Sequence, residues 1–266
     1  MSRAAELFDV SGARVLVTGA ASGLGQAMAE AMADGGARVT LADVDAARLE
    51  EVAGELERRG ADVRLAQLDV SDPDQVRRAF DDLVAAQGGV DVAFANAGIS
   101  LEPGVVDPRG GLENLELDAW RTVLGVNLDG VLFTLREAAG HMKRQGGGRI
   151  VVTASTAGFG TDPMVGYSYS ATKAAAIIMV RQAALELAPH GVHVNAIAPG
   201  PFRTRIGGDA APIPAEAWES IVALGRMADP EELKGVALLL ASPASSFMTG
   251  AVVPVDGGQL LMSHGV

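Results

Sequence analysis

The sequence predicts an α/β fold, a doubly wound parallel sheet of about seven strands with helices on both faces. Two observations carry this. Short β-branched runs alternate with amphipathic stretches of helix length from one end of the chain to the other, which implies parallel strands joined by right-handed crossovers. Several of the short runs are apolar at almost every position, as expected for strands covered on both faces.

The strands are read at Val15–Thr18, Val39–Ala42, Val63–Gln67, Val90–Ala95, Arg149–Ala154, Val192–Ile197 and Val252–Val255. Between them, helical patterns run over Leu24–Ala33, Ala46–Arg59, Pro73–Gln87, Leu117–Met142, Ser170–Ala188 and Pro230–Ala241. Ser71-Asp72-Pro73 and Asp229-Pro230-Glu231-Glu232 each offer a cap, then proline, then acids, which together mark a helix start. Gly88-Gly89 and Gly146-Gly147-Gly148 close helices just before strands, where a left-handed turn is needed. Gly235 to Val255 carries no charge, but Pro243, Pro254 and a Ser/Thr cluster make it helix, turn and strand rather than a membrane span. No linker or internal repeat interrupts the pattern, so residues 1–266 are expected to form one domain. Two irregular segments, Leu101–Leu117 and Phe202–Ala217, each follow a strand and should emerge at the carboxyl edge of the sheet, where ligands bind.

Composition removes several function classes. A net charge of −12 is the wrong sign for nucleic-acid binding. The absence of cysteine excludes a thiolate nucleophile, a disulfide scaffold and Cys-ligated metal centres. It also fits a reducing compartment, and residues 1–9 lack the apolar run of a secretory signal, so the expected location is cytoplasmic. His141, His190, His193 and His264 show no metal-ligand spacing, and no metal is expected. No G-x-S-x-G elbow is present. Glycine is in excess, at 33 of 266 residues against a usual share of ~7%, and its positions therefore carry information.

Three of those glycines lie in Thr18-Gly19-Ala20-Ala21-Ser22-Gly23-Leu24-Gly25, where the first strand turns into the first long helix. Glycine there allows a sharp turn and close approach of the backbone to a pyrophosphate, whose charge the helix N-terminus stabilises. A flexible turn with no ligand is the bland alternative. Asp43 weighs against it, because it ends the next strand about twenty residues on, where a carboxylate accepts the adenosine ribose hydroxyls. That carboxylate would repel a 2′-phosphate, and neither Ala21 nor Val44 offers a compensating cation. NAD is therefore expected over NADP, in a Rossmann-like fold.

With Asp69-Val70, Asn96-Ala97-Gly98, Val126-Asn127, Ser155, Tyr169-Ser-Ala-Thr-Lys173, Pro199-Gly200 and Val255-Asp256-Gly257-Gly258 following in order, the chain resembles the short-chain dehydrogenase/reductase family from about Phe8 to Leu261. The resemblance implies that Gly19, Ser22, Gly23, Leu24 and Gly25 hold the cofactor phosphates and that Asp69 and Val70 meet the adenine ring. It also implies that Asn96, Ala97 and Gly98 line the cofactor's middle, and that Pro199, Gly200 and Thr204 meet the nicotinamide carboxamide. Asn127 would hold a water relaying protons to Lys173. The segment from Gly98 to Trp120 looks several residues longer than the family norm.

The spacing of Tyr169 and Lys173 also carries chemistry of its own. Positions i and i+4 share a helix face, so an ammonium near the phenol should lower its pKa from ~10 and allow proton exchange with an alcohol. Ser155 would donate to the developing alkoxide. Tyr167 has no lysine four residues on and reads as a pocket wall. The expected function is an NAD-dependent oxidoreductase interconverting a secondary alcohol and a ketone, with Tyr169 as acid/base. The alternatives are an NADPH-dependent 3-oxoacyl thioester reductase, which Asp43 disfavours, and a non-catalytic NAD-sensing protein, which would not need the Tyr/Lys pair.

Phe159, Met164, Leu101 and Phe202 suggest a partly apolar small-molecule substrate, while Arg203 and Arg205 are either carboxylate- or phosphate-binding or simply exposed. Ala174, Ala175, Ala176, Ile178 and Met179 form a face that is either core or a subunit contact; the family resemblance implies a homotetramer through this helix and Leu117–Met142. The uncharged run Gly257–Val266 is a second candidate contact.

Overall fold

The computed structural model describes residues 3–206 and 214–262. Gly207, Gly208, Pro212 and His264, and the end of the Gly257–Val266 run, lie outside the described residues. Seven parallel strands form one sheet in the order β3-β2-β1-β4-β5-β6-β7. They are β1 (Arg14–Thr18), β2 (Arg38–Asp43), β3 (Asp62–Gln67), β4 (Val92–Ala95), β5 (Gly148–Thr153), β6 (Val192–Pro199) and β7 (Val252–Val255). The helices are α1 (Arg3–Leu7), α2 (Gly23–Asp34), α3 (Ala46–Arg58), α4 (Pro73–Gln87), α5 (Leu117–Leu124), α6 (Gly130–Gln145), α7 (Tyr167–Leu187), α8 (Ala215–Ser220), α9 (Lys234–Ala241) and α10 (Gln259–Met262).

The unbroken apolar strands feed two cores. Val15 and Val17 of β1 pack with α2, α3 and α9 on one face, while Leu16 packs with α4, α6 and α7 on the other. β4 divides in the same way, with Val92 and Phe94 in one core and Ala93 and Ala95 in the other. β3 departs from the pattern because it is the sheet edge. Its Leu65 is exposed, and Asp62 and Arg64 charge the strand, which blunts edge-to-edge pairing. The chain runs outward from β1 through β2 to β3, then returns through α4 to place β4 on the other side of β1. A crevice opens above the carboxyl ends of β1 and β4, at this reversal.

Local signals set most helix ends. Asp72 caps α4 by accepting from Asp74 N and Gln75 N at 2.9 and 3.2 Å, and Gly88 closes it with φ +84°. The stretch Leu117–Met142 is not one helix. A wide turn of π-helical spacing, Gly125–Asp129, separates α5 from α6, because Asn127 is drawn onto the backbone of Ile99. α7 begins at Tyr167, three residues before the sequence-based start at Ser170, because a carboxylate from another loop holds its first turn. Pro230–Leu233 is a tight 3₁₀ turn, and α9 proper starts at Lys234. No helix among the described residues is long and apolar enough to cross a membrane.

Candidate active site

A cavity of about 1430 Å³ lies over the carboxyl edge of the sheet. Every residue singled out from the sequence for cofactor or catalysis lines it, except Asn127. The lining runs from Gly19, Ser22, Gly23, Leu24 and Gly25 through Asp43, Asp69, Val70 and Asn96–Gly98 to Ser155, Tyr169, Lys173, Pro199, Gly200 and Thr204. The segment after β4 and the described parts of the segment after β6 supply the remaining wall, including Leu101, Phe202 and Trp218.

The phosphate turn is backbone packed on backbone. A Cβ at Gly25 would lie 2.0 Å from the Gly19 carbonyl oxygen, and one at Gly19 (φ +69°) would lie 2.8 Å from Ala97 Cα. Neither position admits a side chain. Ser22 precedes α2 without capping it, so the first-turn N–H groups have no side-chain acceptor and can receive an anion. Asp43 is held at the end of β2, accepting from Ala21 N at 3.0 Å and Asp45 N at 3.1 Å. Each oxygen keeps lone-pair capacity for a ribose hydroxyl. The bare cradle, the uncapped helix and the fixed carboxylate match the pyrophosphate and adenosine of a nicotinamide dinucleotide.

Thr18, the first residue of the glycine-turn motif, ties this turn to the neighbouring strand. Its hydroxyl donates to Phe94 O at 3.2 Å and accepts from Asn96 N and Ala97 N at 2.9 and 3.1 Å. Asn96 Nδ2 donates back to Thr18 O at 3.0 Å, and Thr153 Oγ1 donates to Asn96 Oδ1 at 2.9 Å. Lys173 Nζ then donates to Thr153 O at 2.8 Å. The carboxyl ends of β1, β4 and β5 and the side chain of Lys173 thus form one hydrogen-bonded unit.

Lys173 is only 2% exposed, and burial pulls its pKa down to about 8. Its ammonium lies 5.5 Å from the centre of the Tyr169 ring. Tyr169 responds opposite to the sequence-based expectation: burial pushes its hydroxyl up, the charge of Asp162 adds to the rise, and only a hydrogen bond to Ser155 opposes it. The Lys173 ammonium does not offset the rise, because with a pKa of about 8 it is already neutral at the pH where the phenol ionises. Ser155 Oγ accepts from Ala157 N at 3.2 Å, which orients it at the end of β5.

Asn127 makes a contact that the sequence did not point to. Its Oδ1 accepts from Ile99 N and its Nδ2 donates to Ile99 O, both at 2.8 Å, and it is fully buried. The side chain thereby pins the loop after β4. Arg203 is likewise engaged, with Glu219 at 3.2 Å and Asp229 at 3.5 Å, whereas Arg205 lines the cavity. Phe159 is exposed and does not line the cavity, while Tyr167 does.

Four further lining residues were not singled out from the sequence, because the partners that place them are distant in the chain. Glu102 Oε2 accepts from Ser168 N at 3.1 Å and Ser168 Oγ at 2.6 Å, so it caps α7 next to Tyr169. Pro103 bridges to Val165 in the same region, which clamps the long segment after β4 onto the start of that helix. Gln259 and Asp162 form the third element of the wall, opposite the phosphate turn.

A family model described as enoyl-(acyl carrier protein) reductase matches residues 19–259. The chain belongs to the short-chain dehydrogenase/reductase family. It is 39% identical over 246 residues to a cis-4-hydroxycyclohexanecarboxylate dehydrogenase from Sinomonas cyclohexanicum, covering 91% of this chain and 94% of that one. A meso-2,3-butanediol dehydrogenase from Serratia marcescens is 34% identical over 92% of this chain and 93% of its own length. Among solved structures, a short-chain type dehydrogenase/reductase from Mycobacterium marinum superposes with a TM-score of 0.88 at 39% identity, over 96% of this chain and 98% of that one. A gluconate 5-dehydrogenase from Burkholderia cenocepacia in complex with NADP and tartrate gives 0.89 at 31% identity, over 99% and 100%. A 3-ketoacyl-(acyl carrier protein) reductase from Brucella melitensis complexed with NADH gives 0.86 at 31% identity, over 94% and 99%. The family relationship makes this chain an oxidoreductase that interconverts alcohols and ketones with a nicotinamide cofactor.

Proposed function

We propose an NAD-dependent secondary alcohol dehydrogenase in which Tyr169 exchanges the substrate proton, Ser155 holds the substrate oxygen and Lys173 polarises the site. The observation that carries this reading is the meeting of Ser155, Tyr169 and Lys173 in one cavity with the glycine cradle and Asp43. When bound, the nicotinamide supplies the hydride acceptor or donor. The protein's own part is then to fix the carbinol oxygen between Ser155 and Tyr169 and to manage one proton. Lys173 is fixed by Thr153, and burial primes it to release a proton near neutrality. Asn127 acts on this reading through Ile99, as a positioning residue for the loop that covers the site.

Because burial raises Tyr169, alcohol oxidation should accelerate as pH rises toward its midpoint, and ketone reduction should be favoured at lower pH. The preference for NAD rests on Asp43, whose carboxylate faces the adenosine end of the cavity. The relative solved with NADP makes the opposite preference the reading to exclude. Steady-state oxidation of secondary alcohols at alkaline pH with each cofactor decides it. NAD should exceed NADP by at least about tenfold in kcat/KM, and Asp43→Ser should erase that margin. Equal use or an NADP preference overturns the assignment, turnover confined to 3-oxoacyl thioesters would make it a thioester reductase, and cofactor binding without turnover would make it a sensor.

The chain is read as one cofactor-binding domain that forms a tetramer through α7 and the stretch Leu117–Met142, which holds α5 and most of α6. Leu132, Ile178 and Leu185 are exposed there, whereas Ala176 is wholly core. Light scattering that gave a monomer would remove this. A chain without cysteine suits a reducing, cytoplasmic compartment.

A further inference from the structure

The wall beside Tyr169 holds a carboxylate to which the mechanism above gives no task. Asp162 stands in the loop between the turn Thr156–Gly158 and α7. Its Oδ1 accepts from Met164 N at 2.9 Å, and its Oδ2 accepts from Gln259 Nε2 at 3.3 Å. Gln259 comes from α10, is 6% exposed, and is fixed in turn by Thr156 Oγ1, which donates to its Oε1 at 2.8 Å. A residue from the far end of the chain is thus spent on aiming one carboxylate into the cavity.

No cation among the described residues pairs with that carboxylate, and Gln259 is a neutral amide. Of the lining cations, Lys173 is buried against Thr153, Arg109 is tied to Asp107 at 2.6 Å, and Arg205 is exposed. The charge of Asp162 is close enough to raise the Tyr169 hydroxyl, so it acts on the same space as the reacting oxygen. An anionic substituent placed there meets a like charge in a medium of low dielectric. A hydroxyl, by contrast, satisfies a carboxylate lone pair with a charge-assisted hydrogen bond.

We propose that Asp162 is a specificity-determining residue that accepts a hydrogen bond from a second, non-reacting hydroxyl of the substrate. The chain then takes neutral diols and polyols and turns away alcohols that carry a carboxylate near the reacting carbon. This deepens the proposed function and rests on it. It also predicts a divergence from the relative named for a hydroxycyclohexanecarboxylate, despite 39% identity.

The test uses the full chain with saturating nicotinamide cofactor and three matched probes: cyclohexanol, the cyclohexanediols and the corresponding hydroxycyclohexanecarboxylates. For each variant, kcat/KM is expressed relative to that variant's own cyclohexanol value, which cancels any effect on Tyr169 common to all three. In the wild type the diols should exceed cyclohexanol by about tenfold or more, and the hydroxy acids should fall about tenfold below it. Asp162→Asn should raise the hydroxy-acid ratio by about tenfold, and Asp162→Ala should also remove the diol advantage. Thermal shifts of the cofactor-loaded wild type with each probe report binding without turnover and should rank the probes in the same order. Hydroxy acids that equal or beat the diols in the wild type, or ratios unmoved in both variants, overturn the proposal while leaving the dehydrogenase reading intact. A wild type that oxidises none of the probes and shows no ranked thermal shift overturns the proposal; if it oxidises no other secondary alcohol either, the dehydrogenase reading falls as well.

Discussion

The two ends of the cavity are built in different ways. At the phosphate turn, main chain packs on main chain, and the clearance is so small that only glycine fits at Gly19 and Gly25. At the substrate end, the wall is assembled from side chains that reach across the molecule: Glu102 to Ser168, Gln259 to Thr156 and Asp162, Asn127 to Ile99. The first kind of site depends on backbone geometry and allows almost no variation. The second depends on side-chain identity and can change its chemistry while the sheet beneath stays the same. One fold can thus keep its cofactor and exchange its substrate.

The largest effect expected is at the junction of the two ends. Tyr169→Phe should lower kcat by about 10²–10⁴, the range for losing a general acid–base group, while cofactor titration by fluorescence stays within about threefold. A loss of cofactor affinity as large as the loss of rate would mean that Tyr169 organises the cofactor end and that the division is false. Next is Gly25→Ala, whose new methyl would meet the Gly19 carbonyl at 2.0 Å. Cofactor affinity should fall by about 100-fold or more, on the order of 3 kcal/mol, and isothermal titration measures it. An unchanged affinity would show that the turn yields after all.

Lys173 should separate stability from function. Its folded pKa of about 8 lies below the ordinary lysine value of 10.5, so the buried ammonium costs stability at neutral pH. That cost disappears as pH rises from about 8 to 10.5, where the folded state releases its proton first. The penalty is roughly 3 kcal/mol, and the bond to Thr153 returns about 1 of it. Lys173→Met should therefore gain about 2 kcal/mol in cofactor-free denaturation at pH 7, lose that gain near pH 10.5, and abolish turnover. A variant destabilised at pH 7 would contradict the assignment of burial as the cause.

Smaller effects should mark the substrate wall. Glu102→Ala leaves Ser168 N and Oγ without their acceptor and should cost about 1–3 kcal/mol, with kcat falling because α7 starts beside Tyr169. Glu102→Gln keeps an acceptor oxygen and should recover most of both. If Gln fails as badly as Ala, the carboxylate charge matters rather than the bond. Smallest is Arg203→Ala. Its ion pairs with Glu219 and Asp229 are largely exposed and should be worth under about 1 kcal/mol in urea denaturation.

Legibility followed the same division. The phosphate turn, Asp43 and the Tyr169/Lys173 spacing were readable because each is local: a strand end, a few glycines, a helix face. The strand runs placed both cores, and β3 was read as a strand although its exposure depends on its place at the sheet edge. Asn127 was recognised as a site residue, but its contact with Ile99 was not, since nothing within its own helix points there. Glu102, Asp162 and Gln259 were passed over for the same reason.

The sequence by itself determined the fold and singled out the glycine turn, Asp43 and the Tyr169/Lys173 pair that line one cavity, because hydrophobic period, glycine position and i,i+4 spacing act over a few residues at a time. Only the tertiary structure decided how acidic that pair is and what the substrate meets. Burial set Tyr169 upward and Lys173 downward, and the substrate wall joins segments more than a hundred residues apart, such as Thr156 and Gln259. Desolvation and long-range contact are properties of the packed molecule, and no short window of sequence contains them.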